Sequence, residues 1–294
     1  MPSLKEIRGR IGSIRNIAQI TRAMEMMAAS RMKRAQDAIL AARPYSDELR
    51  EALSRVAAAA TEEADPLLAR RPVNRIGLIV LTTDRSLAGA LDSNVVRTSL
   101  RWIAQRAQEA EGEAPVVEAV SVGRKGRDGL RRAGISIAAH FTNLGDRPAF
   151  SDVTPIARLV TEDFLAGRYD EIAVSYTRFI STLSQESVVR RILPVEQPDL
   201  EDSERSTNED YLFEPSPAEV LSRLLPHYVA VDLYRAVLEH NASEQSARMI
   251  AMRNATDNAN ELIGDLSLVY NKTRQATITR EMIEIASGAE ALGG

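Results

Sequence analysis

Residues 3–27 read SLKEIRGRIGSIRNIAQITRAMEMM. Large apolar side chains fall at Leu4, Ile7, Ile11, Ile14, Ile17, Ile20, Met24 and Met27, and smaller ones continue the pattern at Ala28, Ala35, Ala38 and Ala42. Steps of three and four residues line one face of an α-helix and predict a coiled-coil seam. Consecutive three-residue steps around Ile17 predict a stammer, a local overwinding of the coil. Ser3 and Glu6 have the spacing of a capping box, so the helix is expected to begin there.

Proline extends this reading to the other end of the chain. It costs about 3 kcal/mol or more inside a helix. None occurs between Pro2 and Pro44, or after Pro226. Uninterrupted helices of about 60 Å and about 90 Å are therefore expected at the two ends, at 1.5 Å per residue. A C-terminal seam runs through Leu224, Tyr228, Val231, Leu238, Ala242, Met249, Met252, Ala259, Ile263, Leu266, Tyr270, Thr273, Ile283 and Ala286, with Ser216 and Pro217 as its start. Small residues dominate the middle of both seams. Two such helices with few large core residues are expected to pair antiparallel, with a globular insert between them.

Between residues 73 and 196 the pattern changes to β-branched runs at 76–81, 116–122, 135–141, 171–179 and 187–195, with amphipathic segments at 93–110, 124–132 and 154–167 between the first four. Alternating strands and helices predict βαβ crossovers in a mainly parallel sheet, and the last two runs an antiparallel hairpin at its edge. The fold class expected is α+β: a long antiparallel coiled coil of N- and C-terminal helices with an inserted Rossmann-like α/β domain. The divisions are 1–60 (first helix), 73–196 (α/β domain), 197–215 (acidic loop) and 216–294 (second helix). The loop assignment rests on EQPDLEDSERSTNEDYLFE at 196–214, with eight acidic residues against Arg205.

Composition narrows the chemistry. The 294 residues contain no cysteine, which excludes disulfides and thiolate chemistry, and only three histidines, which argues against a histidine metal site or triad. No apolar run reaches the roughly 20 residues needed to span a bilayer, and the first residues lack a signal core, so a soluble, cytoplasmic chain is expected. Residues 82–94 (TTDRSLAGALDSN) follow the first strand but hold neither GxGxxG nor GxxxxGK[ST]. Asp84 and Arg85 could orient an anion or metal, although a turn with Asp92 to Asn94 capping the next helix explains them more simply. Gly123–Asp128 (GRKGRD) reads as an anion nest or as a basic helix start. Nine basic residues against three acidic ones in residues 1–43 raise nucleic-acid binding. No aromatic residues interleave and the net charge is −4, so a solvated or protein-facing rod is preferred. Met24, Met26, Met27 and Met32 point to several sides and suit either an adaptable surface or irregular core filling.

Three stretches together carry a family resemblance: ITRAMEMMAASRMKRAQ at 20–36, SARMIAMRNATDNA at 246–259 and YNKTRQATITREMIEIASGAE at 270–290. They closely resemble the γ subunit of F-type ATP synthases, and the likeness extends through Asp84-Arg85 and Gly123–Asp128. The resemblance implies a non-catalytic central rotor shaft without cofactors. Its coiled coil would rise into a ring of three α and three β subunits, and its α/β domain would sit with the ε subunit on the membrane c-ring. It also implies that Met24 faces a loop of the β subunits and that Arg248, Gln275 and Thr279 contact the ring. Catalytic and metal-binding residues would be absent, as would nucleic-acid binding and bilayer insertion. After Asp-Arg the family commonly has a glycine-rich, often cysteine-containing stretch; here it reads SLAGALD at 86–92. The cysteine pair of chloroplast relatives and a transit peptide are absent, which implies a bacterial source and a peripheral place on the cytoplasmic face of the cell membrane. The competing reading is a coiled-coil scaffold with a stand-alone nucleotide-binding α/β domain.

Overall fold

The computed structural model describes residues 3–59, 65–110, 112–196 and 214–292, so most of the acidic loop expected at 197–215 lies outside the described residues. Its elements in chain order are α1 (Leu4–Ala59), β1 (Arg75–Leu81), α2 (Leu91–Glu109), β2 (Val116–Val122), α3 (Arg124–Arg132), β3 (Ser136–Phe141), α4 (Phe150–Leu165), β4 (Glu171–Phe179), β5 (Gln185–Leu193) and α5 (Pro217–Leu292). The chain divides into two compact units. One contains Met1–Ala28 and Arg248–Gly294, the other Ala29–Ala247.

The two-helix unit begins at the expected cap, where the Ser3 N–H donates to Glu6 Oε2 at 2.9 Å and the Glu6 N–H to Ser3 Oγ at 3.2 Å. The helices are antiparallel, as expected. Arg8 Nη2 donates to Tyr270 Oη at 2.6 Å, the Thr21 and Thr256 hydroxyls lie 2.7 Å apart, and Arg253 Nε donates to Glu25 Oε1 at 3.0 Å. Residue numbers rise on one helix as they fall on the other.

The seam itself differs from the sequence reading. On α1 the shielded positions include Leu4, Ile7, Ile11, Ile14, Ala18, Thr21, Glu25 and Ala28, alternating steps of three and four without a stammer, with Met24 half-buried beside them. Ile17 and Ile20 are 52% and 60% exposed. The reading followed side-chain size, whereas close helix packing favours the small Ala18 and Thr21 at this level. On α5 the shielded positions are Met249, Met252, Thr256, Ala259, Ile263, Leu266, Tyr270, Thr273 and Thr277, again in regular heptads. Ile283 and Ala286 fall outside this seam and are exposed, because α1 starts at Leu4 and leaves nothing opposite them.

Both long helices also run through a proline, Pro44 in α1 and Pro226 in α5. Each proline is on an exposed face, where water can satisfy the carbonyl that loses its helical partner.

In the α/β unit a five-stranded sheet has the order β3-β2-β1-β4-β5. β2 and β4 flank β1 in parallel, β3 continues the parallel set, and β5 closes one edge antiparallel to β4. Alternate residues of β1 serve two cores: Leu78 and Val80 pack with Val95 and Leu130, while Ile79 and Leu81 pack with Phe164 of α4 and Leu233 of α5. Buried on both faces, the central strands need the near-continuous apolar runs visible in the sequence. Along residues 229–246 α5 is shielded at nearly every position, which explains why no single seam can be read there.

Candidate subunit-contact surface

A two-helix unit buries one stripe on each helix and exposes the rest. What is unusual here is the size of the exposed apolar side chains. On α1, Ile17, Ile20 and Met27 lie in steps of three and seven beside the seam, each more than half exposed, and Met26 joins them at 62%. On α5, Leu268, Met282 and Ile285 are 72%, 62% and 73% exposed. Large apolar side chains left exposed at these positions make them the candidate interaction surface. The sequence reading missed most of it by assigning Ile17, Ile20, Met27 and Ile283 to the seam. The available signal was the regular heptad through the small residues, which excludes them.

The four residues singled out in the sequence are not brought together. Met24 is half-buried on α1, in line with Ile20 and Met27 and next to the paired Glu25. Gln275 and Thr279 are exposed one turn apart on α5, and the Thr279 hydroxyl donates to the Gln275 carbonyl at 2.9 Å. Since Glu25 meets Arg253, Gln275 lies about 30 Å along the helix from the level of Met24, at 1.5 Å per residue. Arg248 is only 8% exposed and is partnered in this chain.

In the α/β unit the loops after the strands hold one another. Asp84 accepts the backbone N–H of Arg124 at 3.1 Å and that of Asn143 at 2.7 Å, linking the loops after β1, β2 and β3. Thr83 donates its N–H and its hydroxyl to Asp92, each at 2.8 Å. Asp92 thus braces the loop behind it, and α2 starts at Leu91 after Ala90 with no side-chain cap, contrary to the capping expected from Asp92 to Asn94.

The first N–H groups of α3 are consumed in the same way. Lys125 donates to the Thr83 carbonyl and Gly126 to the Thr82 hydroxyl. A Cβ on Gly123, which has φ +90°, would come within 2.1 Å of the Thr82 carbonyl oxygen. The glycine therefore serves contact between loops, and the helix start offers no free N–H nest for phosphate. Among the described residues no group of three or more His, Asp or Glu side chains is placed to hold a metal.

A family model described as ATP synthase matches residues 3–292. The chain is 51% identical to the ATP synthase gamma chain of Roseiflexus castenholzii over 294 residues, covering 99% of both chains. The chain belongs to the γ-subunit family of F-type ATP synthases. It is 48% identical to the gamma chain of Dehalococcoides mccartyi, covering 99% of this chain and all of that one. Its fold matches a chain in the mitochondrial ATP synthase of Euglena gracilis (OSCP/F1/c-ring, rotational state 3) with a TM-score of 0.65, 20% identity, and coverage of 98% of this chain and 94% of that one. As a γ subunit the chain is the non-catalytic central shaft of the synthase. No helix among the described residues is long and apolar enough to cross a membrane.

Proposed function

We propose that the shaft couples rotation to catalysis through the exposed apolar positions of its two-helix unit, seated inside a ring of three α and three β subunits. The observation that carries this reading is the end of α5. Beyond Thr277 no residue of α1 lies opposite, yet Ile278, Met282, Ile283 and Ile285 present large apolar side chains. Met24, Gln275 and Thr279 act at this surface as contacts. Arg248, being shielded, acts by holding α5 in position for the ring. A single asymmetric rod presents a different face to each of three β subunits, and only such differential contact can shift a neighbour between conformational states.

The α/β unit carries the contacts with ε and the c-ring, so that proton-driven rotation of the c-ring turns the shaft. The enzyme lies on the cytoplasmic face of a bacterial membrane, with this subunit peripheral. The functional divisions follow residues 1–60, 73–196, 197–215 and 216–294. The competing reading, a stand-alone nucleotide-binding protein, is disfavoured by the occupied N–H groups of α3.

The test uses the assembled complex. Met24→Lys keeps helix propensity but sets a cation against an acidic loop of β, an attraction that varies with rotor angle. ATP-driven proton pumping should fall more than ATP hydrolysis, and more steeply with temperature, in inverted membrane vesicles. An unchanged ratio at every temperature would remove Met24 from the contact surface. The double variant Ile283→Ser/Ile285→Ser should leave the isolated chain's helicity intact and lower its recovery with α and β. Full recovery would sink the reading of the α5 end.

A further inference from the structure

Seven of the ten residues 239–248 of α5 are polar or charged and buried, the densest such run among the described residues. The turns before it are shielded by apolar side chains, Leu233, Ala236, Val237 and Leu238. The change falls where α5 is about to leave the α/β unit, whose last residue is Ala247. Burying a polar group costs stability unless it is bonded, so a helix held by packing alone would stay apolar up to its exit.

The bonds of this run grip α5 from two sides. His240 Nδ1 accepts the Thr177 N–H at 3.3 Å, and the Ser243 hydroxyl donates to the Thr177 carbonyl at 3.1 Å. The Ser246 hydroxyl donates to the Thr182 carbonyl at 2.5 Å and accepts from Gln185 Nε2 at 3.1 Å. Steps of three keep these residues on one side of the helix, against β4, β5 and the turn between them. Asn241 is turned about 100° from His240, and its Nδ2 donates to the Asp146 carbonyl at 3.3 Å, in the loop between β3 and α4. Tyr234 Oη donates to the Pro148 carbonyl in the same loop at 3.3 Å. The Asp146 carboxylate pairs with Arg31 of α1 at 2.8 Å, so this loop holds both long helices.

Polar and apolar grips resist different motions. Apolar burial is non-directional, whereas a hydrogen bond weakens steeply as its angle departs from linear. Bonds on two sides of α5 therefore oppose rotation of the helix about its own axis, which is the motion that torque imposes.

We propose that residues 240–246 form a polar collar that fixes the rotational setting of α5 where it leaves the α/β unit, so that torque applied to this unit enters the coiled coil at Ser246. His240, Asn241, Ser243 and Ser246 are positioning residues that act through α5. Without the collar the last grip is the apolar turn at Leu238, eight residues earlier, which adds about 12 Å of helix free to twist at 1.5 Å per residue. With α5 held by the ring near Gln275, the contact proposed above, the free length grows from about 44 Å to about 56 Å and the torsional compliance about 1.3-fold.

The test holds the assembled complex by its ring subunits and attaches a bead at Gln108→Cys, an exposed position of α2 and then the only cysteine of this subunit. The variance of the bead angle during each pause of ATP-driven rotation measures the torsional compliance. Asn241→Ala/Ser243→Ala/Ser246→Ala is expected to widen the variance about 1.3-fold, the ratio of the free lengths. Phe164→Ala, which weakens the core of the α/β unit but touches none of these bonds, should leave it unchanged. If the triple variant does not assemble, Ser246→Ala, which removes two bonds at the exit, is read in its place. An unchanged variance in the variant read, or an equal rise in Phe164→Ala, would mean that the polar run merely satisfies itself, and the proposal falls. A rise confined to the collar variant upholds it. The size of that rise gives the length of α5 left free by the ring, so failure of the Gln275 contact would alter its size and not its sign.

Discussion

The two-helix unit and the α/β unit are built from the same chain by opposite rules. In the α/β unit the core is built of large apolar residues: Phe164, Ile79, Leu81 and Leu130 have 0–1% exposure. In the two-helix unit the shielded positions include Ala18, Thr21, Thr256 and Ala259, while Ile17, Ile20, Leu268 and Ile285 face outward. A unit that stabilises itself puts its bulk inside. The two-helix unit turns bulk outward, as the proposed seat inside a ring of other chains requires, and holds itself together with small residues, a few hydrogen bonds and the Glu25–Arg253 pair.

The most direct way to break this contrast is to truncate one large residue in each unit. Phe164→Ala should destabilise the α/β unit by about 3 to 5 kcal/mol through lost transfer energy and a cavity. Ile285→Ala should change the isolated chain by no more than about 0.5 kcal/mol. Thermal melts of the two variants measure the difference; comparable losses would mean that Ile285 is packed in the chain and the contrast is false.

The next effect is on pH. All three histidines lie in the α/β unit, and burial lowers the pKa of His240 to about 4 from 6.5. A depressed folded value means that the unfolded chain takes up the proton first as pH falls. The contribution is present in full above about 6.5 and is lost progressively down to about 4, by on the order of 3 kcal/mol. Urea melts of the parent and His240→Gln across this window should differ in slope, the parent losing stability faster on acidification. Parallel slopes would place His240 in a more solvated site than its burial implies.

The smallest effect sharpens the account of the seam. Thr21→Val keeps shape and removes the hydroxyl 2.7 Å from that of Thr256. Thr256 retains its bond to the Met252 carbonyl, so the loss should be about 1 kcal/mol, read from the helical signal at 222 nm. If Ile17→Ser costs more than Thr21→Val, the seam runs where residue size first suggested.

The α/β unit was legible because β-branched runs and helical segments alternate, and each central strand is covered on both sides. Even the antiparallel edge formed by β4 and β5 followed from the short turn between them. The coiled coil was legible in its ends, through Ser3 and Glu6, and in its direction. Its seam was misread because apolar size and helix position disagree: Ile17 and Ala18 are adjacent, and size favours the wrong one. The proline-free stretches end at Pro44 and begin at Pro226, whereas α1 and α5 run through both prolines, within the divisions 1–60 and 216–294; both sit where water replaces the lost bond. Of the four residues proposed as contacts, Gln275 and Thr279 are exposed, Met24 is half-buried and Arg248 is shielded. Burial of Arg248 was not readable, since α5 around 229–246 is shielded on all sides and shows no period.

The regular heptads on both helices also set a handedness. A repeat of 3.5 residues on a helix of 3.6 residues per turn makes the two strands wind left-handed about each other. Torque in the left-handed sense draws the strands together and drives Ala18, Thr21, Thr256 and Ala259 into the steep repulsive wall of close contact. Torque in the other sense pulls them apart along the shallow attractive side of the same potential. A thin pair of helices locked by small residues is thus stiffer to twist in one direction than in the other.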